Sequence, residues 1–121
     1  MNDPLIALLA VLCNASAQVA MKFAGRAGLS GAAVAADTTS RWLAWLSPWL
    51  LASVALYGLS FLLTIRVFAN NALSVASPLM AGLTFVCIVT ASWLVLGEAM
   101  DLRKIGGIAL ILLGIVVLTY R

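Results

Sequence analysis

The sequence predicts an all-α integral membrane protein in which residues 1–121 form a single domain of four transmembrane helices. Apolar residues make up 64% of the chain and charged residues 9%, whereas soluble domains average about 45–50% and about 25%. A soluble domain of this size buries only about two-thirds of its chain surface, so it could not hide that many apolar side chains from water. Four spans of about 20 residues fit this length and leave no room for a soluble catalytic domain.

The first part of the chain contains one predicted span and one long connection. The span covers residues 5–24, and the connection covers residues 25–46. Three indoles then recur at helical spacing, at Trp42, Trp45 and Trp49. This spacing predicts an aromatic belt in the headgroup layer of the membrane, where Trp is enriched. An aromatic box that binds a ligand is the alternative.

The second and third spans are predicted to form an antiparallel hairpin. Ser47 followed by Pro48 matches an N-cap with proline at the first helical position, so the second span covers residues 48–68. Two consecutive asparagines then predict a tight turn. The third span, residues 73–96, begins at its first residue or at Pro78, because proline lacks a backbone donor and either starts or bends a helix.

The fourth span, residues 103–120, differs from the others because glycines interrupt an Ile, Leu and Val body. Gly107, Ile111 and Gly114 share one face of this helix. Glycines let a second backbone approach closely. We therefore expect an association helix, either within the chain or between subunits.

The distribution of cations predicts the orientation of the chain. Five lie on the side reached after spans one and three, and two lie on the other side: Lys22, Arg26, Arg41, Arg103 and Lys104 against Arg66 and Arg121. Because positive residues favour the cytoplasmic side, both termini are expected outside. These cations sit at the ends of apolar runs, so the net charge of +3 indicates topology and not nucleic-acid binding.

The composition also argues against an enzyme or a metalloprotein. The chain has no His, and its two cysteines, Cys13 and Cys87, fall inside apolar runs. Two thiols without His provide neither a disulfide framework nor a metal cage. The sequence contains no nucleophile–base pair or phosphate-binding loop in a usable context. We therefore expect no catalysis, no metal and no cofactor.

Polar side chains recur at helical spacing inside three of the spans. They are Asn14, Gln18 and Lys22 in the first, Ser53, Tyr57, Ser60 and Thr64 in the second, and Ser74, Ser77 and Thr84 in the third. Each set lies on one helix face. Polar groups in hydrocarbon are costly without partners, so the three faces are predicted to line a shared substrate cavity.

Helix packing is the alternative explanation of these polar faces. Ser and Thr in membrane helices often bond their own backbone, and Asn or Gln often join helices. The acidic residues lie outside the spans, at Asp3, Asp37, Glu98 and Asp101. A proton-driven exchanger needs a titratable group that substrate and proton compete for, so such coupling is not expected here.

Several motifs resemble those of a known superfamily. Lys22-Phe23 closes the first span, Leu96-Gly97-Glu98 follows the third, and residues 103–108 read Arg-Lys-Ile-Gly-Gly-Ile. They resemble the drug/metabolite transporter superfamily, and nearly the whole chain is similar to its small multidrug resistance family. The resemblance implies a dimer held by the fourth helix, and it puts Tyr57 where that family has a substrate-contacting tyrosine.

The sequence departs from the multidrug exporters at one position. Their first-helix glutamate, which carries both proton and substrate, is replaced by Asn14. The pair Ala17-Gln18 and residues 73–79, Leu-Ser-Val-Ala-Ser-Pro-Leu, instead resemble the flippase subunits for undecaprenyl-phosphate-linked aminoarabinose. This branch lacks the glutamate.

The resemblance implies a flippase, or a flippase subunit, that moves a lipid-linked sugar across the bacterial inner membrane with its termini in the periplasm. The expected partners are membrane lipids, the lipid-linked sugar, and a second copy or a similar four-helix protein. The expected substrate-binding residues are Asn14, Gln18, Lys22, Tyr57, Ser60, Thr64 and Ser77. In this set Lys22 meets the lipid phosphate, unless it only snorkels to the interface.

Two other functions are compatible with the sequence. The first is a small-molecule or cation exporter of the small multidrug resistance type, working without the usual glutamate. The second is a non-transporting membrane subunit that stabilises a partner.

Overall fold

Four helices make up most of the described chain, which in this computed structural model comprises residues 3–26 and 46–120. We name them α1 to α4 in chain order: Asp3–Ala24, Pro48–Asn70, Leu73–Leu94 and Leu102–Thr119. They contain 22, 23, 22 and 18 residues, and each is long and apolar enough to cross a membrane. The predicted all-α class with four transmembrane helices is confirmed, and no strand occurs within those two ranges.

The start of α2 follows the predicted capping signal. Ser47 has extended backbone angles, and its side chain accepts a hydrogen bond from the Leu50 amide at 3.2 Å. This bond satisfies one of the amides that a helix start leaves without a backbone partner. The helix runs on to Asn70, and the side-chain amide of Asn71 donates to the Val67 carbonyl at 2.9 Å.

The third helix begins at Leu73 and continues through Pro78. Of the two starts that the sequence allowed, the structure has the earlier one, so Ser77 lies inside the helix and does not cap it. The helix ends at Leu94, after which Gly97 adopts a φ of 63°. Glycine takes this left-handed conformation without the steric cost of a side chain, and it turns the chain toward α4.

Two of the three predicted belt tryptophans, Trp42 and Trp45, lie outside the described residues, as does most of the predicted connection. Trp49 lies within them, at the start of α2. Its ring stacks on Phe23 at the end of α1, with ring centroids 5.0 Å apart and planes inclined by 30°. The contact joins α1 to α2 at this end.

The first helix is the most buried of the four described helices. It packs along most of α2 and, over a shorter length, along α3. Small side chains permit this close packing: Ala10 and Ala17 are 0% exposed. The buried core around Ala10 also includes Val11, Val67 and Met80. Because α2 and α3 touch each other only briefly, cavities remain where α1 does not fill the space between them.

The fourth helix is packed differently. Of the described helices it contacts only α3, and none of its residues is buried. A side-chain carbon at Gly82 would overlap Cδ1 of Ile115, so this glycine lets α4 lie against α3. A carbon at Gly107 or Gly114 would meet no atom within 4 Å. These two glycines therefore mediate no close packing within the described chain. Their role in association between two chains stays a prediction.

Candidate functional site

A cavity of about 320 Å³ lies between α1, α2 and α3, toward the middle of the bundle. Its polar lining consists of two amides from α1, one hydroxyl from α2 and one hydroxyl from α3. The lining residues are Ala10, Val11, Asn14, Gln18, Thr64, Phe68, Met80, Ala81, Thr84, Phe85 and Ile88. We call this space the polar cavity. None of the described residues that line it carries an ionisable side chain.

The two amides form a pair on one face of α1. Residues four apart on a helix lie one above the other, and Gln18 Nε2 donates to Asn14 Oδ1 at 3.3 Å. An amide side chain offers two donors and two acceptor lone pairs. One bond between them therefore leaves both amides able to bind a further polar group in the cavity.

The two threonine hydroxyls contribute acceptors to the same cavity. Thr64 Oγ1 donates to the Ser60 carbonyl and Thr84 Oγ1 donates to the Met80 carbonyl, both at 2.8 Å. Each hydroxyl donates its proton to a backbone carbonyl of its own helix, as Ser and Thr commonly do within helices. Its lone pairs stay available to a donor. Thr84 was on the predicted polar face of the third span.

Ser60 lies at a helix contact and does not line the polar cavity. Its side chain is 4% exposed, and its Oγ donates to the Ala10 carbonyl at 2.9 Å. Ser53 is also buried, and it donates to the Leu50 carbonyl at 2.7 Å. The polar face of α2 is thus divided between helix packing and the cavity.

Two other predicted binding residues lie on the outside of the described chain. The Tyr57 side chain is 38% exposed on α2, and Ser77 is exposed on α3. Neither lines the polar cavity. If either contacts a substrate, that contact is made at the surface of this chain. Of the seven predicted residues, the structure brings Asn14, Gln18 and Thr64 together.

Lys22, the remaining predicted residue, lies at the end of α1 in an ion pair. Its Nζ is 2.9 Å from Oε1 of Glu98 in the turn between α3 and α4. The Ser92 hydroxyl donates to the other carboxylate oxygen of Glu98. Nearby, Lys104 Nζ donates to the Ala99 carbonyl at 3.2 Å. A turn at Glu98 was expected from the sequence, whereas its pairing with Lys22 was not.

The surroundings of Glu98 keep its carboxyl group ionised. The hydrogen bond from Ser92 lowers its pKa most, followed by the hydrogen bond and the charge of Lys22. Burial acts in the opposite direction, and the charge of Lys104 lowers the pKa further. Because the pKa lies below its ordinary value of 4.5, the pair with Lys22 persists at neutral pH and weakens only as pH falls through the lowered pKa.

A second cavity, of about 430 Å³, lies nearer the Lys22 end of the same three helices and is almost entirely apolar. Its lining includes Ser16 and the stacked Phe23 and Trp49. The remaining lining residues are Leu12, Ala15, Val19, Ala20, Ala52, Leu56, Cys87, Ala91 and Val95. We call this space the apolar cavity. The face of α1 that carries the two amides thus lines the polar cavity, and a different, mainly apolar face of α1 lines the apolar cavity.

The sequence is similar to several proteins of known sequence. The probable 4-amino-4-deoxy-L-arabinose-phosphoundecaprenol flippase subunit ArnE of Yersinia pestis (strain Pestoides F) is 33% identical over 121 residues, which cover 100% of this chain and 99% of that protein. ArnE of Yersinia pseudotuberculosis serotype O:1b (strain IP 31758) has the same 33% identity over 121 residues. The uncharacterized protein y4nH of Sinorhizobium fredii (strain NBRC 101917 / NGR234) is 37% identical over 94 residues, 78% of this chain and 75% of that protein.

No protein-family model matches the chain, and no solved structure is significantly similar to it. The full-length similarity to ArnE agrees with the resemblance that the motifs indicated. The four apolar helices fit a small multidrug resistance-like architecture. Together, the similarity along all 121 residues and the four membrane-spanning helices show that the chain belongs to the family of the ArnE flippase subunits.

Proposed function

We propose that the protein is a subunit of a flippase that carries a lipid-linked sugar, such as a polyprenyl-phosphate glycoside, across the bacterial inner membrane. The ArnE relatives support this proposal, because they are named for the flipping of an amino-sugar phosphoundecaprenol. The excess of cations after spans one and three supports an orientation with both termini in the periplasm.

The polar lining of the polar cavity is the main structural support for this proposal. Asn14, Gln18, Thr64 and Thr84 supply amide and hydroxyl acceptors from three different helices. A sugar headgroup is rich in hydroxyl and amino donors, and these donors need partners when they leave water. The volume of about 320 Å³ falls within the range of roughly 300–1,000 Å³ that is usual for small-ligand sites.

The proposed mechanism is facilitated diffusion of the headgroup through the protein. The polar cavity shelters the sugar, while the prenyl chain stays in the lipid. Gln18 and Asn14 lie one and two helical turns from Lys22, about 6 and 12 Å along the axis at 1.5 Å per residue. A phosphate at the membrane surface near Lys22 would let the sugar reach inward along the two amides.

A partner chain completes the proposed carrier. The polar cavity is not fully enclosed by the single chain, so a headgroup bound there would also meet lipid or a second subunit. A second copy or a similar four-helix protein in antiparallel arrangement would form the inverted repeat that alternating access uses. The proposed contact is the exposed face of α4 that contains Gly107, Ile111 and Gly114.

Mass spectrometry of the lipids that copurify with the protein from mild detergent tests the proposal. We expect a prenyl-phosphate glycoside to be enriched over its share of the membrane lipids. Gln18→Leu removes one amide from the polar cavity at similar side-chain size. The loss of a neutral hydrogen bond should reduce the enrichment about two- to tenfold.

Ser16→Ala is the matched control, because Ser16 lies on the same helix but lines the apolar cavity. This variant should retain the wild-type lipid content. The proposal is wrong if no prenyl lipid is enriched with the wild-type protein. It is also wrong if Gln18→Leu and Ser16→Ala retain the lipid equally well. Copurification of a partner protein without any prenyl lipid would instead indicate a non-transporting subunit.

A further inference from the structure

Lys22, the cation proposed to meet the lipid phosphate, is already bound to an anion of its own chain. Its Nζ lies 2.9 Å from Glu98 Oε1, and the Ser92 hydroxyl holds the other oxygen of that carboxylate. The ammonium group comes from α1, the hydroxyl from α3, and the carboxylate from the turn between α3 and α4. Three separate elements thus meet at one anion.

We propose that Glu98 is an internal competitor that occupies the anion position at Lys22, and that the phosphate of a prenyl lipid takes its place there. The inference rests on the proposed function, because it assumes that the substrate carries a phosphate to this end of α1. Ser92 acts as a positioning residue that holds Glu98 against Lys22.

A carboxylate and a phosphate can exchange at Lys22 for a chemical reason. Both are oxyanions that accept charge-assisted hydrogen bonds from an ammonium group, and a Lys ammonium is a point charge without a fixed geometric preference. The neighbouring Lys104 lowers the pKa of Glu98 through its charge. The same positive charge would also attract a phosphate.

The exposure of the pair makes the exchange feasible. The side chains of Lys22 and Glu98 are 50% and 34% exposed, so an incoming phosphate can reach the ammonium group from outside. Ion pairs exposed to solvent are weak, so Glu98 would compete without blocking the site. The apparent affinity for the lipid would then equal the intrinsic affinity multiplied by the fraction of Lys22 that is free.

The exchange would also release α1 from the turn between α3 and α4. Among the described helices, α1 and α4 do not contact each other. The pair of Lys22 with Glu98 therefore ties α1 directly to the turn that leads into α4. When phosphate replaces Glu98, this tie between α1 and the turn is lost, whereas the bonds of Glu98 to Ser92 can remain.

Titration of the purified protein with undecaprenyl phosphate in detergent micelles, followed by native mass spectrometry, tests the inference. Glu98→Gln should tighten binding about two- to fivefold, the size of effect expected when a weak ion pair no longer competes. Lys22→Gln should weaken binding. In the Lys22→Gln background, Glu98→Gln should not increase the affinity for undecaprenyl phosphate, because the ammonium group for which Glu98 competes is already absent.

Asp101→Asn is the matched control. It removes one negative charge from the same turn, and Asp101 makes no side-chain capping bond at α4. Its affinity for undecaprenyl phosphate should equal that of the wild type. A gain in Asp101→Asn as large as that in Glu98→Gln would mean that net charge alone is responsible, and it would overturn the inference.

Two further titrations show whether the site requires both the phosphate and the prenyl chain of the lipid. Binding of undecaprenol, which has no phosphate, should not respond to Glu98→Gln. Inorganic phosphate should displace undecaprenyl phosphate only at concentrations far above that of the lipid. Displacement by inorganic phosphate at matched concentration would show that the site takes free phosphate, which overturns the lipid assignment.

The remaining outcomes separate this inference from the proposed function. If Lys22→Gln weakens binding and Glu98→Gln does not tighten it, Glu98 is not a competitor and the proposed function stands. If neither variant changes the affinity, Lys22 is not the phosphate site and the inference falls. If the wild type binds no undecaprenyl phosphate, the inference falls, and the copurification of prenyl lipids decides the proposed function. Should Glu98→Gln fail to fold, Ser92→Ala provides the second variant, since it releases Glu98 and should also tighten binding.

Discussion

At the scale of single residues, Asn14 has the largest consequence for the mechanism. The multidrug exporters that this sequence resembles have a glutamate at the corresponding position, and that side chain exchanges a proton for substrate. Asn14 instead accepts a hydrogen bond from Gln18 at 3.3 Å and lines the polar cavity. An amide has no pKa in the physiological range, so this position cannot carry a proton.

The first prediction concerns pH. Transport should change by less than about twofold between pH 5 and pH 8, because an amide at position 14 does not titrate there. Glu98 does not add a titration in this window, since its pKa lies below its ordinary value of 4.5 and its carboxyl group stays ionised. Initial rates in membrane vesicles at a series of pH values measure this. A wild-type rate that collapses within this window would refute the prediction, and the loss of that collapse in Asn14→Ala would trace it to position 14.

At the scale of the helices, the contact between α1 and α2 determines which polar residues remain available to a substrate. Ala10 is 0% exposed, and its small side chain lets Ser60 reach the Ala10 carbonyl at 2.9 Å. Thr64, one turn further along α2, lies beyond this contact and lines the polar cavity. The same face of α2 therefore both packs against α1 and contributes to the site.

The second prediction tests the role of Ser60 in this packing. Ser60→Ala should lower the free energy of unfolding by about 1 kcal/mol, the usual contribution of a hydrogen bond between helices. Thermal unfolding in detergent micelles, followed by circular dichroism, measures the change. Ser77→Ala removes an exposed hydroxyl from α3 and should leave the stability unchanged. Equal stability of the two variants would mean that the bond contributes nothing.

The helices were easier to predict than the contacts between them. Span lengths and a spacing of four residues are local properties, so the four helices and the shared face of Asn14 and Gln18 could be predicted from sequence. Ser60 packs and Thr64 lines the cavity because of where α1 crosses the α2 face. The spacing of polar residues in the sequence does not show that crossing point. The pairing of Lys22 with Glu98 joins residues far apart in the chain, and only the packing of α1 and α3 brings them together.

At the scale of the whole molecule, the chain is asymmetric. The core lies between α1, α2 and α3, whereas α4 contacts only α3 within the described structure and has no buried residue. Gly82 supports that contact, because a larger side chain there would overlap Ile115. The other face of α4 is left to lipid or to a second chain.

The third prediction concerns association through α4. Gly107→Leu or Gly114→Leu should raise the monomer fraction, because a large side chain would separate two closely approaching backbones. The fold of the chain itself should tolerate both changes, since a side-chain carbon at either position meets no atom within 4 Å. Cross-linking in membranes measures the dimer yield. Gly58→Leu, at an equally open glycine on α2, is the control, and an unchanged dimer yield in both α4 variants would refute the assignment.

The proposed function requires the polar cavity to carry the headgroup of a lipid-linked sugar across the membrane. The most direct measurement is the flipping rate of a prenyl-phosphate amino sugar in inverted membrane vesicles from producing cells, which also contain any partner that the cell supplies. We predict that the Asn14→Ala, Gln18→Leu double variant flips at least about tenfold more slowly than the wild type, since two hydrogen-bonding side chains are lost. Ser16→Ala should flip at the wild-type rate. Wild-type flipping by a correctly inserted double variant would show that the polar cavity does not carry the headgroup.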